Sequence, residues 1–192
     1  MLRKERNRLQ VDDWILNQID PEQHEEILSL FDCGDPDLNE YFQKDALPNK
    51  EALVGQPYYL CEATAETIPV ALIDLCNDSV RRESSKRQPG YSKIAEVEEA
   101  KQYPFLPAVK ITRFGVSKHF QGMNVGSHTL NMIKKLFITE NRTGCRFLTI
   151  DAYNEENVLR FYQKNEFQFF YDKDKDKKTR SMFYDLKRLI LD

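Results

Sequence analysis

Apolar positions follow two rhythms along the chain. Short apolar or alternating runs predict strands at Trp14 to Ile19, Pro57 to Ala63, Pro69 to Cys76, Ala108 to Val116 and Gly144 to Tyr153. Helical spacing takes over between them. Pro21-Glu22 opens a helix through HEEILSLF, with proline in the first turn, where its missing N–H costs nothing. Asp35 before Pro36 reads as an N-cap followed by an N1 proline, and Leu38, Tyr41, Phe42 and Leu47 give the next helix its apolar face. Leu130, Ile133 and Phe137, with Met132 and Leu136 beside them, mark a longer helix, and Val158, Phe161 and Tyr162 mark a third face at i, i+3, i+4.

These elements suggest their own pairing. The runs ending at Ala63 and starting at Pro69 flank a short polar turn and predict an antiparallel hairpin. The run Gly144 to Tyr153 is parallel to Ala108 to Val116 if the helix between them is a crossover. The tail from Phe167 to Ile190 reads as an aromatic-rich hairpin joined by a lysine/aspartate run, a solvated turn whose acidic and basic residues cancel. Residues Asn77 to Gln102 turn charged and polar and read as an insertion or mobile flap, or as a solvated surface excursion. In the central run, Val109 and Ile111 keep one parity while Phe114 and Val116 keep the other. A β-bulge near Thr112-Arg113 gives that slip, and so does a strand buried on both faces.

Composition narrows the class. At 192 residues, 41% hydrophobic and 31% charged, the chain suits one ordinary globular α/β domain. A net charge of -3 provides no overall drive toward nucleic acid or an acidic membrane. No apolar run is long enough to span a bilayer, and the basic N-terminus is not followed by a signal-peptide core, so a cytoplasmic protein is expected. Cys33, Cys61, Cys76 and Cys145 are widely spaced, which suits free thiols in a reducing compartment and not a zinc site.

The candidate chemistry lies where the central strand meets the long helix. RFGVSKHFQGMNVGS, from Arg113 to Ser127, delivers a glycine-containing loop onto a helix N-terminus. Backbone N–H groups without intrahelical partners and the positive end of the helix dipole make such a junction a phosphate site. Neither a dinucleotide fingerprint nor a Walker A loop fits the residues.

RFGV followed after four residues by QGMNVGS resembles the Arg-Leu-Ala-Val and [QR]-x-x-G-x-[GA] signature of the GNAT acetyltransferases. The first glycine of that pattern falls on Asn124, the non-glycine residue type that best tolerates a left-handed backbone. Val158, Phe161-Tyr162 and Phe167 are similar to a second family segment, whose glycine becomes Glu166; Asn165 is then expected at the left-handed helix end. Phe31, Cys33-Gly34, Leu38, Tyr41-Phe42 and Ala46 resemble the opening of a GNAT branch that contains toxins of toxin/antitoxin pairs.

The resemblance implies a single GNAT domain: a mixed, mostly antiparallel sheet flanked by helices, its central parallel strands splayed around acetyl-CoA. It implies acetyl transfer to a primary amine, with the Val116 N–H polarising the thioester carbonyl and Phe114 beside it on the strand. Met123, Asn124, Val125, Gly126 and Ser127 then hold the pyrophosphate on a turn shaped by Gln121 and Gly122. Asn154 and Asn157 reach the pantetheine or diphosphate arm, and Tyr162 protonates the departing thiolate. The toxin branch adds charged tRNA as an acceptor; an idle acyl-CoA-binding or interaction module stays open, as does the oligomeric state, a homodimer included. No general base can be named, because the central strand offers Lys110, Thr112 and Arg113 but no carboxylate, and His24, His119 and His128 lie outside the acceptor strands. An α-amine, more acidic than a lysine, lessens the need for one.

Overall fold

The computed structural model describes residues 8–81, 103–139 and 143–191. Its strands are β1 (Arg8–Val11), β2 (Trp14–Gln18), β3 (Gln56–Glu62), β4 (Ala71–Arg81), β5 (Phe105–Val116), β6 (Phe147–Tyr153), β7 (Gln168–Phe169) and β8 (Thr179–Asp185). Its helices are α1 (Pro21–Ser29), α2 (Pro36–Glu40), α3 (Ala46–Glu51), α4 (Val125–Thr139), α5 (Glu156–Lys164) and α6 (Arg188–Leu191). The strands form one 8-stranded sheet in the order β1-β2-β3-β4-β5-β6-β8-β7. Pairs β1·β2, β2·β3, β3·β4, β6·β8 and β7·β8 are antiparallel, and β5·β6 is parallel. This is the mixed, mostly antiparallel α/β fold that the sequence implied. The parallel register runs from Ala108↔Phe147 to Ile111↔Ile150, and β5 continues to Val116.

By its contacts the chain divides into two compact units, Met1–Cys76 with Thr112–Leu136, and Asn77–Ile111 with Phe137–Asp192. In the first, β2 and β3 pack Ile15, Tyr59 and Cys61 against Ile27, Leu28 and Phe31 of the α1 region and against Tyr41, Phe42 and Ala46. The helix starts are locally encoded. The Asp20 side chain accepts from the Glu22 amide at 3.0 Å, and the Asp35 side chain accepts from the Asp37 and Leu38 amides at 2.9 and 3.2 Å. Between α2 and α3, Tyr41–Asp45 forms a π-helical turn. Pro48 has no N–H to give the Lys44 carbonyl, and the widened turn before it takes up the misfit. The turn buries Tyr41 and Phe42 together, their rings edge-on at 5.5 Å. In the second unit, Val80, Leu106, Ala108, Phe147, Phe170 and Phe183 form a separate core.

Several expectations change. Residues Asn77 to Arg81 belong to β4, where Val80 is a core residue, so the polar shift begins after a strand end that charged neighbours disguise. The rest of the expected flap lies outside the described residues. The parity slip is not at Thr112-Arg113: Val109, Ile111 and Gly115 are buried on one parity, and the adjacent buried pair is Ala108-Val109. Gly115 has no side chain and is invisible to a hydrophobic pattern. The left-handed residue after α5 is Glu166, at φ 66, and not Asn165, at φ -90. Within the lysine/aspartate run Asp174 is buried, hydrogen-bonded by Arg180 Nε at 2.7 Å and by the Ser181 amide at 2.9 Å, so it does not offset the neighbouring lysines in solvent. Among the described residues no helix is long and apolar enough to cross a membrane.

Candidate functional site

β5 ends at Val116 and the chain passes through a 3-10 turn, Lys118–Phe120, and the turn Gln121 to Asn124 into α4. Asn124 stands at φ 62 and Gly122 at φ 78. The left-handed backbone expected at Asn124 is therefore present, and it turns the chain into the helix. The first amide to close onto the helix is His128, which donates to the Asn124 carbonyl at 3.1 Å. The Val125, Gly126 and Ser127 amides precede it, as donors at a helix N-terminus do. Nothing lies within 4 Å of the position a side chain on Gly122 would take, and Met123 is 67% exposed. The loop thus offers an open rim and a row of amides, which fits an anionic diphosphate.

The loop is braced by the Phe31 to Gly34 segment. The Gln121 side-chain amide donates to the Cys33 carbonyl at 2.7 Å and to the Val116 carbonyl at 3.0 Å. The Lys118 amide donates to the Asp32 carbonyl at 3.0 Å, and its ammonium meets the Asp32 carboxylate at 2.7 Å. That ammonium, with Asn39 and the Gly34 amide, holds the Asp32 carboxyl down at about 2. Gly115 leaves room for the brace, since a side chain there would come 3.1 Å from Cys33 Sγ and 3.3 Å from Phe31. Two separate sequence motifs are therefore one piece of structure.

The same unit holds a buried polar cluster that sequence reasoning missed. Asp74 of β4 is 1% exposed; its Oδ2 accepts from the Tyr41 hydroxyl at 2.8 Å and lies 2.5 Å from Thr112 Oγ1. Asn49 donates to the Tyr41 hydroxyl at 3.2 Å, and the Arg113 guanidinium lies 4.8 Å from the centroid of the Tyr41 ring. Burial pushes the Asp74 carboxyl up from the usual carboxylate range and the Tyr41 phenol up to about 12. The signal was available: a carboxylate inside the apolar run VALIDL is out of place unless it is paired.

In the second unit Tyr162 of α5 is 5% exposed, packed edge-on against Phe161 and Phe167 at 5.0 and 5.5 Å. Burial alone raises its phenol well above the ordinary value, so the hydroxyl is a proton donor across the neutral range. The Asn154 side chain donates to the Lys175 and Lys177 carbonyls at 2.6 and 2.8 Å, which makes it a staple of the β7–β8 loop. Asn157 is exposed in the first turn of α5, and neither asparagine is its N-cap, which is Glu155. Phe114 and Val116 are half-buried on β5. Among the described residues no group of histidine, cysteine, aspartate and glutamate side chains is arranged to hold a metal ion.

The fold matches solved structures of toxins. A structure of AtaTR bound with AcCoA aligns over 94% of this chain and 98% of that chain, at 19% identity and a TM-score of 0.67. AtaT complexed with acetyl-methionyl-tRNAfMet covers 93% and 98%, at 20% identity and a TM-score of 0.69. A tyrosine-to-phenylalanine mutant of KacT covers 93% and 98%, at 17% identity and a TM-score of 0.72. At these identities the likeness is one of fold. No protein-family model matches the chain, and neither does any curated protein.

Proposed function

We propose that this protein is an N-acetyltransferase that moves the acetyl group of acetyl-CoA to a primary amine. The observation that carries the reading is the loop at the end of β5: a left-handed Asn124 where the resembled signature has glycine, followed by the opening amides of α4. The fold supports it, since the structures that share it include one bound with AcCoA.

Acetyl-CoA, when bound, supplies an activated thioester carbonyl. In this reading the amides from Met123 to Ser127 hold its diphosphate, with Gln121 and Gly122 keeping the turn in shape. The β5 backbone from Phe114 onward aligns the pantetheine arm, and the Val116 amide donates to the carbonyl as negative charge develops on its oxygen. Tyr162, kept protonated by burial, protonates the leaving sulfur. The four free thiols suit a reducing, cytoplasmic setting.

A second acceptor reading, the amino group of aminoacyl-tRNA, is favoured by the Phe31 to Gly34 segment, which resembles the toxin branch and braces the loop. AtaT, which shares the fold, is seen with acetyl-methionyl-tRNAfMet. The net charge of -3 counts against a large RNA footprint. Incubation with acetyl-CoA and a panel of amines, peptides and charged tRNA, read by mass spectrometry, separates the acceptors. Acetyl-CoA binding without any acetylated product would instead identify an idle binding module.

A further inference from the structure

Three arginines among the described residues are buried or half-buried, and two of them meet a carboxylate. Arg146 gives Nε and Nη2 to the two oxygens of Asp185 at 2.6 and 2.7 Å, and Arg180 gives Nε to Asp174 at 2.7 Å. Arg113 of β5 does neither. Its Nη1 donates to the Thr112 carbonyl at 2.9 Å, its buried Nε has no partner among the described residues, and Nη2, which none of them meets, reaches solvent. The edge that carries the ion pair in Arg146 is therefore unmatched in Arg113 and open at Nη2. A guanidinium never sheds its charge in a protein, so half-burying one without an anion is unfavourable.

The group is nonetheless held still. It lies over the Tyr41 ring, 4.8 Å from the centroid, a stacking that suits the planar arginine head. Tyr41 is fixed in turn, its hydroxyl donating to Asp74 at 2.8 Å and accepting from Asn49 at 3.2 Å. Asp74 feels the Arg113 charge, but no hydrogen bond joins the two, and burial pushes the Asp74 carboxyl up, toward its neutral form. A rigid fork with no ion-pair partner and one nitrogen open to solvent is suited to an oxyanion that arrives from outside.

The place of Arg113 on β5 says what kind of molecule brings it. The diphosphate of acetyl-CoA is assigned to the loop from Met123 to Ser127, further along the chain. Val116, whose amide meets the thioester carbonyl, stands three residues beyond Arg113, about 10 Å along the strand. The guanidinium bends back onto the Thr112 carbonyl, so it does not shorten that gap. The α-carboxylate of a free amino acid lies two bonds from its nitrogen and does not span it. The end carboxylate of a tripeptide does, and so does the 5′-phosphate of an adenosine that carries an amino acid on its 3′ position.

We propose that Arg113 binds an oxyanion of the acceptor through Nη2, a carboxylate or phosphate carried about 10 Å from the reacting amine, an assignment that rests on the acetyltransferase reading above. Arg113 is then a specificity residue: it makes and breaks no bond, and it favours acceptors that bring the anion over those that lack it.

Matched acceptors test this with saturating acetyl-CoA: triglycine against triglycine amide, and 3′-glycylamido-3′-deoxyadenosine with and without a 5′-phosphate. The wild type prefers the anionic member of one pair by about 10- to 100-fold in kcat/KM, the range of a hydrogen bond to a charged group. The difference falls mainly on KM, because the contact is the same in the ground and transition states. Which pair shows it tells carboxylate from phosphate. Arg113→Gln brings the ratio down toward one, while calorimetry with acetyl-CoA checks that the cofactor site is intact. Equal kcat/KM within both pairs overturns the proposal from the wild type alone, even if the variant does not fold. A folded Arg113→Gln enzyme that keeps the preference overturns it as well, and so does a wild type that acetylates other amines and none of these four. A protein that binds acetyl-CoA and acetylates no amine of any kind overturns the acetyltransferase reading itself, a separate result.

Discussion

Gly115→Ala probes whether the Phe31 to Gly34 segment braces the cofactor loop. The added methyl lies 3.1 Å from Cys33 Sγ, 3.2 Å from Cys33 Cβ and 3.3 Å from Phe31 Cε1. Carbon contacts are favourable at about 3.5–4.0 Å, so all three are compressed. Phe31 is buried and edge-on to Phe42 at 5.6 Å and 80°, and Cys33 is fixed by the Asn39 side chain, so neither swings aside. Overpacking of this kind costs about 1–3 kcal/mol. At about 2–4 °C per kcal/mol for a chain of this size, the melting temperature falls by about 2–12 °C. The Cys33 carbonyl anchors Gln121, so acetyl-CoA affinity falls as well. Cys33→Ala removes the sulfur that the methyl meets. The double variant is therefore more stable than the sum of the single losses by about 1 kcal/mol, and regains part of the affinity. Thermal denaturation and calorimetry on the four proteins of the cycle measure both. Additive losses, with acetyl-CoA affinity unchanged throughout, would refute the brace.

Gly126→Asp puts a negative charge among the first amides of α4 and abolishes acetyl-CoA binding in a protein whose circular dichroism is unchanged; unaltered affinity by calorimetry removes the loop from the site. Tyr162→Phe keeps the ring packing with Phe161 and Phe167 and removes only the hydroxyl, so steady-state kinetics show kcat down by about 10²-fold or more with acetyl-CoA affinity little changed. A loss confined to KM means that the hydroxyl contributes uniform binding, and normal turnover removes Tyr162 from the chemistry. Glu166→Gly relieves a left-handed non-glycine residue and loses only an exposed pair with Arg188, so the melting temperature holds or rises, by up to about 1 kcal/mol of stability; a marked fall refutes strain at that turn.

How much was legible depended on where the information was held. Strands β2 to β6 and the helix starts at Pro21 and Pro36 follow from local rhythm and capping, and the structure has them within a few residues except at the end of β4, which runs on to Arg81. The left-handed Asn124 was legible because the resembled signature demands a glycine there. The same logic misplaced the turn after α5: asparagine is the better left-handed residue, but the helix runs through Asn165, whose amide bonds back to Phe161 and Tyr162, and leaves the turn to Glu166. The brace and the Asp74 cluster were not legible. Each joins residues far apart in sequence, Cys33 to Gln121 and Tyr41 to Asp74 and Thr112, and no local pattern reports such a pairing. The charge run at the β7–β8 turn is exposed as read, except at Asp174, since a count of signs does not show that this residue faces inward.

Acetyl transfer itself is the most direct measurement. The protein, acetyl-CoA and a set of primary amines that includes amino-acid esters and charged tRNA are incubated together, and the products are resolved by mass spectrometry alongside a Gly126→Asp control. A single acetyl group on the amine nitrogen of at least one acceptor is expected, with one free CoA for each product formed, and neither with the control. Tight acetyl-CoA binding with no acetylated amine from any acceptor would contradict it.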